Sequence, residues 1–158
     1  MSRIAGTFPL IPGPNTIHDP MIVTPTAPGN AIGANKTIQR HRISYAQESA
    51  TSAADEARVL HVVRGVTGTV LAFDVGCVVA NIGAAIVEVD LLLNGVTMLS
   101  AVVEINVGHA AYEIVGGTLA STALVVDDVL EVSIDGTAGG GTLGKGVFAI
   151  VTLDETPA

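Results

Sequence analysis

The amino-acid sequence predicts an all-β fold, namely an antiparallel β-sandwich of about eight strands behind an extended N-terminal arm. Three observations lead to this prediction. The apolar fraction of 49% consists mainly of Val, Ala, Ile and Leu, with three Phe, two Tyr and no Trp. Short apolar segments recur at intervals of about 8–12 residues. The 18 glycines mark turns between these segments.

Residues 1–44 differ from residues 45–158, and this difference predicts a two-part chain: an arm followed by one β-sandwich domain. Six of the seven prolines lie between Pro9 and Pro28. Each proline fixes its own φ and favours an extended residue before it. Because Pro-rich termini seldom order unless they are tied down, we expect the arm to lie on a partner or a neighbouring subunit.

The charge divides at the same boundary. Residues 1–44 hold four basic residues and one acidic residue, a net charge of +3, whereas residues 45–158 hold three basic residues and fourteen carboxylates, a net charge of −11. The whole chain has a net charge of −8, which argues against a nucleic-acid-binding protein. The basic arm is therefore expected to contact protein.

The low content of charged residues predicts an oligomer. Charged residues make up 14% of the chain, against about 25% in typical soluble domains. The longest charge-free stretches of the body span residues 75–87, 91–103 and 114–126, and each is shorter than the ~20 residues of a membrane-spanning helix. The first residues lack the apolar region of a secretory signal, so we expect a soluble protein made in a cytoplasm.

The first strands follow from β-branched and apolar patterning. Residues 37–47 and 58–64 read as strands, with a loop or a single helical turn at residues 49–56. Residues 69–79 predict a longer strand. Its alternation predicts an inward face made of Leu71, Phe73, Val75 and Cys77.

The clearest hairpin surrounds Asn94-Gly95, the dipeptide preferred in type I′ turns because both residues tolerate positive φ. The strand before it, residues 85–93, is expected to place Val87, Val89 and Leu91 inward. The strand after it, residues 96–106, is expected to do the same with Leu99, Ala101, Val103 and Ile105.

The remaining strands are shorter, apart from the last. Residues 112–115 and 123–126 predict two strands around Gly116-Gly117. Residues 129–134 predict another, with Leu130, Val132 and Ile134 inward. A glycine-rich hairpin loop at residues 136–146 leads to the closing strand, residues 147–153.

No motif predicts catalysis, a cofactor or a metal site. Residues 139–146 match most of the phosphate-binding pattern G-x-x-x-x-G-K-[ST], but Gly146 replaces the hydroxyl residue and a strand follows where a helix is required. Cys77 lies on an apolar strand face and is expected to be a buried structural residue. The histidines are scattered in the sequence without the spacing of metal ligands: His18, His41, His61 and His109.

An acidic cluster and a sequon are also interpreted structurally. Asp127, Asp128, Glu131 and Asp135 lie near a turn, where carboxylates sometimes bind calcium, but the alternation of the strand places the last two on a solvent face. We therefore expect a hydrated edge. Asn35-Lys36-Thr37 matches a glycosylation sequon, which carries no weight without a secretory signal.

Residues 59–153 resemble the jelly-roll-like decoration (cement) and head-fibre-base proteins of tailed bacteriophages. The resemblance rests on Gly68-Thr69-Val70, on the hairpin from Glu88 to Val96, on the step from Leu124 to Val132, and on Gly144-Lys145-Gly146-Val147-Phe148. Asp127 stands where glycine is commoner in such proteins.

The resemblance implies a non-enzymatic virion protein that decorates and stabilises an icosahedral capsid. It implies a trimer that clamps neighbouring copies of a major capsid protein through its arm. The residues themselves predict no contact with nucleic acid or a membrane and no cofactor. The expected partner-binding residues all lie in the arm: Arg3, Phe8, Pro9, Ile11, Pro12, Ile17, Met21, Ile22, Lys36, Arg40 and Arg42.

Two alternatives remain open from the sequence. One is another virion component, such as a spike base, a tail protein or a minor coat protein. The other is a carbohydrate-binding β-sandwich module, which is disfavoured because sugar sites use exposed aromatic side chains and this chain has five aromatic residues and no Trp.

Overall fold

The structure, a computed structural model, describes residues 39–156. This part of the chain is an antiparallel β-sandwich, as predicted, and it contains ten strands. No helix in it is long and apolar enough to cross a membrane. The strands are β1 (Gln39–Ala46), β2 (Glu56–Val62), β3 (Thr67–Val79), β4 (Ile86–Leu93), β5 (Val96–Thr97), β6 (Val103–Ile105), β7 (Val115–Gly116), β8 (Ala123–Val125), β9 (Val129–Thr137) and β10 (Lys145–Thr156).

The strands form two five-stranded sheets. Sheet A has the order β1-β10-β3-β7, with β8 also paired to β3. Sheet B has the order β2-β9-β4-β5, with β6 also paired to β4. Because β5 with β6, and β7 with β8, each occupy one position at a sheet edge, the ten strands fill eight positions. Successive positions alternate between the sheets except at the β4–β5 hairpin, which gives the strand order of a jelly roll.

The core consists of side chains that alternate along the strands of both sheets. Val87, Val89 and Leu91 of β4 are fully buried, which confirms the prediction for this strand. The Asn94-Gly95 turn has φ values of 52° and 80°, as a type I′ turn requires. The largest fully buried side chains of the core include Phe73, Leu91, Met98, Ile105, Leu124, Leu130, Ile134 and Leu153.

The connections gather at two ends of the sandwich. Residues 47–55, 80–85, 106–114 and 138–144 form one end, which we call the tip; the backbone there is joined by Ala53 N–H to Gly144 O (2.8 Å) and Ile82 N–H to Thr142 O (2.9 Å). Residues 63–66, 94–95 and 126–128 form the opposite end. Gln39 lies at that opposite end because it pairs with Glu155, so residues 1–38 join the sandwich there.

The two sides of the sandwich are closed differently. On one side the backbone itself links the sheet edges, since Ala120 N–H donates to Met98 O (2.7 Å) and Ser100 N–H donates to Thr118 O (2.9 Å). On the other side the edge strands β1 and β2 face each other, and the hydrogen bonds described between them involve side chains. We call this the open side.

The prediction that Leu71 faces the core was wrong. Leu153 pairs with Val70 and Thr152 pairs with Ala72, so Leu71 is an extra residue, a β-bulge in β3. The bulge shifts the alternation by one residue. Val70 therefore enters the core at 1% exposure while Leu71 is 42% exposed.

The predicted continuous strand at residues 96–106 is interrupted. It divides into β5 and β6 after Met98, whose N–H still donates to Leu91 O of β4 while its carbonyl accepts from Ala120 N–H. Leu99 then pairs with Leu119 instead of continuing along β4. Leu99, Val103 and Ile105 are buried as predicted. Ala101 lies in the interruption and is exposed, contrary to the prediction.

The sandwich begins before residue 45. Residues 39–44, which the sequence division assigned to the arm, form most of β1 and pair with β10 over its length. Arg40 and Arg42 thus belong to the sandwich. Residues 1–38 retain Arg3 and Lys36 against Asp19, a net charge of +1.

The bulge gives a stability test. We predict that Val70→Ala lowers the free energy of unfolding by about 2 kcal/mol, because it removes two buried methyl groups and leaves a cavity. Leu71→Ala, although it removes more atoms, should cost less than about 1 kcal/mol because Leu71 is largely solvated. Urea unfolding of both variants measures this, and the reverse ranking would show that β3 has no bulge at this position.

Candidate functional site

The outer face of sheet A has an apolar centre with charged residues around it. Because Val147, Ala149 and Val151 of β10 are buried, the residues between them point outward. Phe148 pairs with Ala46 on one side and Gly76 on the other, and Ile150 pairs with Ser44 and Asp74. We call this surface the apolar face; its central side chains are Ala46, Ala72, Val78, Phe148 and Ile150.

Gly76 shapes the apolar face. A Cβ atom at this position would lie 2.5 Å from both Phe148 Cζ and Glu113 O. Glycine therefore lets the Phe148 ring lie flat over β3 while the loop of residues 106–114 passes beside it. The result is a low, half-buried aromatic surface on the outside of the sheet.

The outer face of sheet B is acidic. Outward-pointing residues of β4, β6 and β9 include five carboxylates, and none of the outward residues on these strands is basic. Glu88 pairs directly with Glu104 on one side and Asp135 on the other. We call this surface the acidic face; its carboxylates are Glu88, Asp90, Glu104, Glu131 and Asp135.

The row of three carboxylates has a physical cost. Like charges directly opposite on adjacent strands destabilise a sheet. The repulsion is relieved where water surrounds the charges, so this face favours solvent over an apolar partner. Leu130, Val132 and Ile134 of β9 are buried, so Glu131 and Asp135 point outward, as predicted.

The two outer faces thus differ in character. Charges on the apolar face balance, since Arg40 and Arg42 stand against Asp74 and Asp154. On the acidic face no basic side chain of residues 39–156 pairs with the five carboxylates, although Thr97 and Asn106 donate hydrogen bonds to Asp90 and Glu104. An antiparallel sheet exposed on one side usually carries polar residues there, so the apolar face is the unusual one and suits contact with protein.

Of the eleven residues predicted to bind a partner, the structure describes two. Arg40 donates from Nε and Nη2 to the Asp154 carboxylate at 2.8 and 3.0 Å, and this pair lowers the pKa of Asp154. Arg42 has no ion-pair partner among residues 39–156 and is exposed beside the apolar face. The other nine lie outside the described residues: Arg3, Phe8, Pro9, Ile11, Pro12, Ile17, Met21, Ile22 and Lys36.

The tip is organised by one buried amide. Asn81, 3% exposed, donates from Nδ2 to Ile105 O (2.6 Å) and accepts from Gly144 N–H at 2.5 Å. It therefore joins three of the connections at this end. Its two partners are distant in sequence, so no local pattern predicts this role.

The tip also exposes apolar side chains, among them Tyr112. This residue is 69% exposed and has a φ of 62°, although its N–H is held by Cys77 O at 2.8 Å. A non-glycine residue at positive φ is uncommon. The other exposed apolar residues in and beside these connections are Val79, Ile82, Val107 and Ile114.

A shallow polar depression lies on the open side near the tip. Glu56 accepts hydrogen bonds from Tyr45 Oη, Arg58 Nε and Gln47 Nε2. The Tyr45 bond and then the Arg58 bond lower the pKa of Glu56. Because its carboxylate is satisfied by three donors, Glu56 is held ionised and serves to join β1 to β2.

The glycine-rich segment is a loop, but it is not a hairpin. Strand β9 lies in sheet B and β10 lies in sheet A, so residues 138–144 cross between the sheets. Strand β10 begins at Lys145, where a phosphate-binding motif would need a helix. Within residues 39–156 this segment therefore lacks the geometry of a nucleotide site.

The remaining sequence candidates have structural roles. Burial raises the pKa of the Cys77 thiol, so it is a poor nucleophile. Asp128 accepts from Val125 N–H (2.8 Å) and Asn94 Nδ2 (2.7 Å), which ties two turns together. Among the described residues no three His, Cys, Asp or Glu side chains are placed to share a metal ion. His18 and the Asn35 sequon lie outside the described residues.

Comparison with protein-family models, with curated proteins and with solved structures finds no match to this chain.

The burial of Cys77 gives a chemical test. We predict that a thiol reagent modifies the native protein at less than about one hundredth of the rate seen in denaturant, because the thiol is both buried and protonated. With a chromogenic disulfide reagent, the absorbance of the thiolate that it releases measures the reaction. Rapid labelling of the folded protein would contradict the position of Cys77 inside β3.

The role of Asn81 gives a second test. We predict that Asn81→Ala lowers the free energy of unfolding by about 2–3 kcal/mol, because Gly144 N–H and Ile105 O lose their buried partner. Asn106→Ala is the control. Its half-buried amide at the same end donates to Glu104 and accepts from Gly108 N–H, both solvent-accessible bonds, so its loss should cost under about 1 kcal/mol. Equal losses in the two variants would show that Asn81 does not organise the tip.

Proposed function

We propose that this protein is a non-enzymatic structural component of a virion, which decorates and stabilises the icosahedral capsid of a tailed phage as a trimer. The observation that carries the proposal is the contrast between the two outer faces of the sandwich. A decoration protein needs one surface that packs on neighbouring protein and one that stays hydrated. The apolar face and the acidic face meet these two needs.

The arm fits the same arrangement. Residues 1–38 join at Gln39, the first residue of β1, and β1 is the edge strand of the sheet that bears the apolar face. A Pro-rich segment loses less entropy on docking than an ordinary flexible one. Its 38 residues can reach about 125 Å when fully extended. The arm can therefore bind a neighbouring capsid subunit beyond the footprint of the sandwich.

The ionisable side chains of the described residues support a role in assembly rather than in catalysis. In residues 39–156 the ionisable side chains with shifted pKa values are held by ion pairs or hydrogen bonds that join strands, such as Arg40–Asp154 and Tyr45–Glu56, or are buried, as Cys77 is. These groups hold strands together. The surfaces that remain available are extended and suited to protein contact.

The apolar face gives a test of assembly. We predict that the native protein has a solution mass of about 48 kDa, three times the 16.0 kDa of one chain. Ile150→Lys should shift it to the monomer mass, because a charge is then buried in the interface. Leu92→Lys, at a similarly half-buried position on the acidic face, is the matched control and should stay trimeric. Light scattering after size exclusion measures all three masses.

The arm gives a test of attachment. We predict that deletion of residues 1–36 abolishes co-sedimentation with capsids while leaving the circular dichroism spectrum and unfolding transition of the body unchanged. Unchanged capsid affinity would contradict the proposed arm. Electron microscopy of native particles labelled with antibody should show label across the capsid surface, whereas label confined to one vertex or the tail would identify another kind of virion component.

A further inference from the structure

A buried carboxylate lies between two histidines on the open side of the sandwich. Glu155 of β10 is 6% exposed. His61 Nε2, from β2 of sheet B, lies 2.7 Å from Glu155 Oε1, and His41 Nε2, from β1 of sheet A, lies 3.6 Å from Oε2. The two imidazole rings are 5.8 Å apart between centroids. The three side chains thus connect the edge strands of both sheets.

Backbone packing keeps the carboxylate in place. A Cβ atom at Gly65 would lie 3.2 Å from Glu155 Cβ, and one at Gly68 would lie 3.4 Å from Glu155 Cγ. Glycine at both positions leaves room for the Glu155 side chain to lie between the strands. A carboxylate buried in this way needs charged or hydrogen-bonding partners, and the two imidazoles are the partners that the fold supplies.

One of the two histidines in the cluster lacks a hydrogen bond to Glu155. His61 Nε2 is at hydrogen-bond distance from a carboxylate, so it carries the proton and donates it. His41 Nε2 is buried without any hydrogen-bond partner, yet it faces the other carboxylate oxygen. In a neutral ring protonated on Nδ1 this nitrogen presents a lone pair to the carboxylate. In an imidazolium it presents a charged N–H.

Other charged groups near the cluster already have partners. Arg40 pairs with Asp154 on the outer side of sheet A, and Arg64 pairs with Asp127 at the exposed end of the sandwich. The residues that β3, β8 and β9 pair nearby are uncharged: Gly68, Leu124 and Leu130. Arg40 is the main cause of the lowered pKa of Asp154, and His41 contributes to it, so Asp154 also acts on the cluster.

We propose that His41, His61 and Glu155 form a pH-sensitive clasp that fastens β1 to β2 when the imidazoles are protonated. Histidine is the side chain whose charge ordinarily changes between pH 5 and 8. The folded state offers an imidazolium a buried carboxylate that the unfolded chain lacks. The stabilisation is therefore present while the imidazoles are charged and is lost when they are neutral.

The clasp acts on the strand that connects the N-terminal segment to the body. Strand β1 is the edge strand of sheet A on the open side, and among the described residues its only strand partner is β10. His41 lies two residues after Gln39, where residues 1–38 join the sandwich. Release of the clasp therefore loosens the start of β1. This inference concerns the fold itself and does not depend on a role in a capsid.

Hydrogen exchange of the full-length protein tests the clasp. We expect the protection factors of β1 amides, corrected for intrinsic exchange, to fall about tenfold between pH 6 and pH 8, the effect of losing a charge-assisted hydrogen bond. Glu155→Gln should show no such fall. His109→Gln, which changes a histidine outside the cluster, should keep the full pH dependence.

A double variant guards against a simple loss of folding. His41→Gln with His61→Gln retains two neutral amide donors near Glu155 and removes the titrating groups. It should fold and give β1 protection that is flat between pH 6 and pH 8. A tenfold fall that persists in this variant or in Glu155→Gln would overturn the proposal, as would a flat profile in the wild-type protein.

Discussion

The alternation of side chains along paired strands is the constraint on which this structure depends. Each strand sends alternate residues into one shared core. Within residues 39–156 this core consists of Val, Leu, Ile and Ala side chains, Cys77, Met98 and one fully buried aromatic residue, Phe73. Once the inward residues are fixed, the outward residues are free to differ between the sheets. The sandwich uses this freedom to make one outer face apolar and the other acidic.

The same constraint explains why the sides of the sandwich are unequal. Backbone hydrogen bonds close the side near Met98 and Ala120, where short strands turn from one sheet to the other. The side between β1 and β2 depends on the Tyr45–Glu56 bond and on the histidines around Glu155. The chain thus enters the fold along the edge that is held by ionisable groups, next to the apolar face.

The sequence predicted the sandwich, its core strands and the Asn94-Gly95 turn because these follow from local alternation and turn chemistry. It did not predict the bulge at Leu71, since a bulge depends on the register of a distant partner strand. The arm was assigned from its positive charge and its prolines, and on that basis Arg40 and Arg42 fell within it. Their pairing with β10 makes them part of β1. The face contrast and the His41–Glu155–His61 cluster arise from residues far apart in sequence, which periodicity alone does not bring together.

The central claim is that the apolar face is covered by protein in the native assembly while the acidic face is not. Because Cys77 is buried, single cysteines introduced at Thr152→Cys on the apolar face and Ser133→Cys on the acidic face, both half-buried positions, report on each surface separately. The most direct measurement is their rate of reaction with a bulky thiol reagent in the native assembly. The account predicts strong protection at position 152 and fast labelling at position 133. Equal rates at the two positions would contradict it.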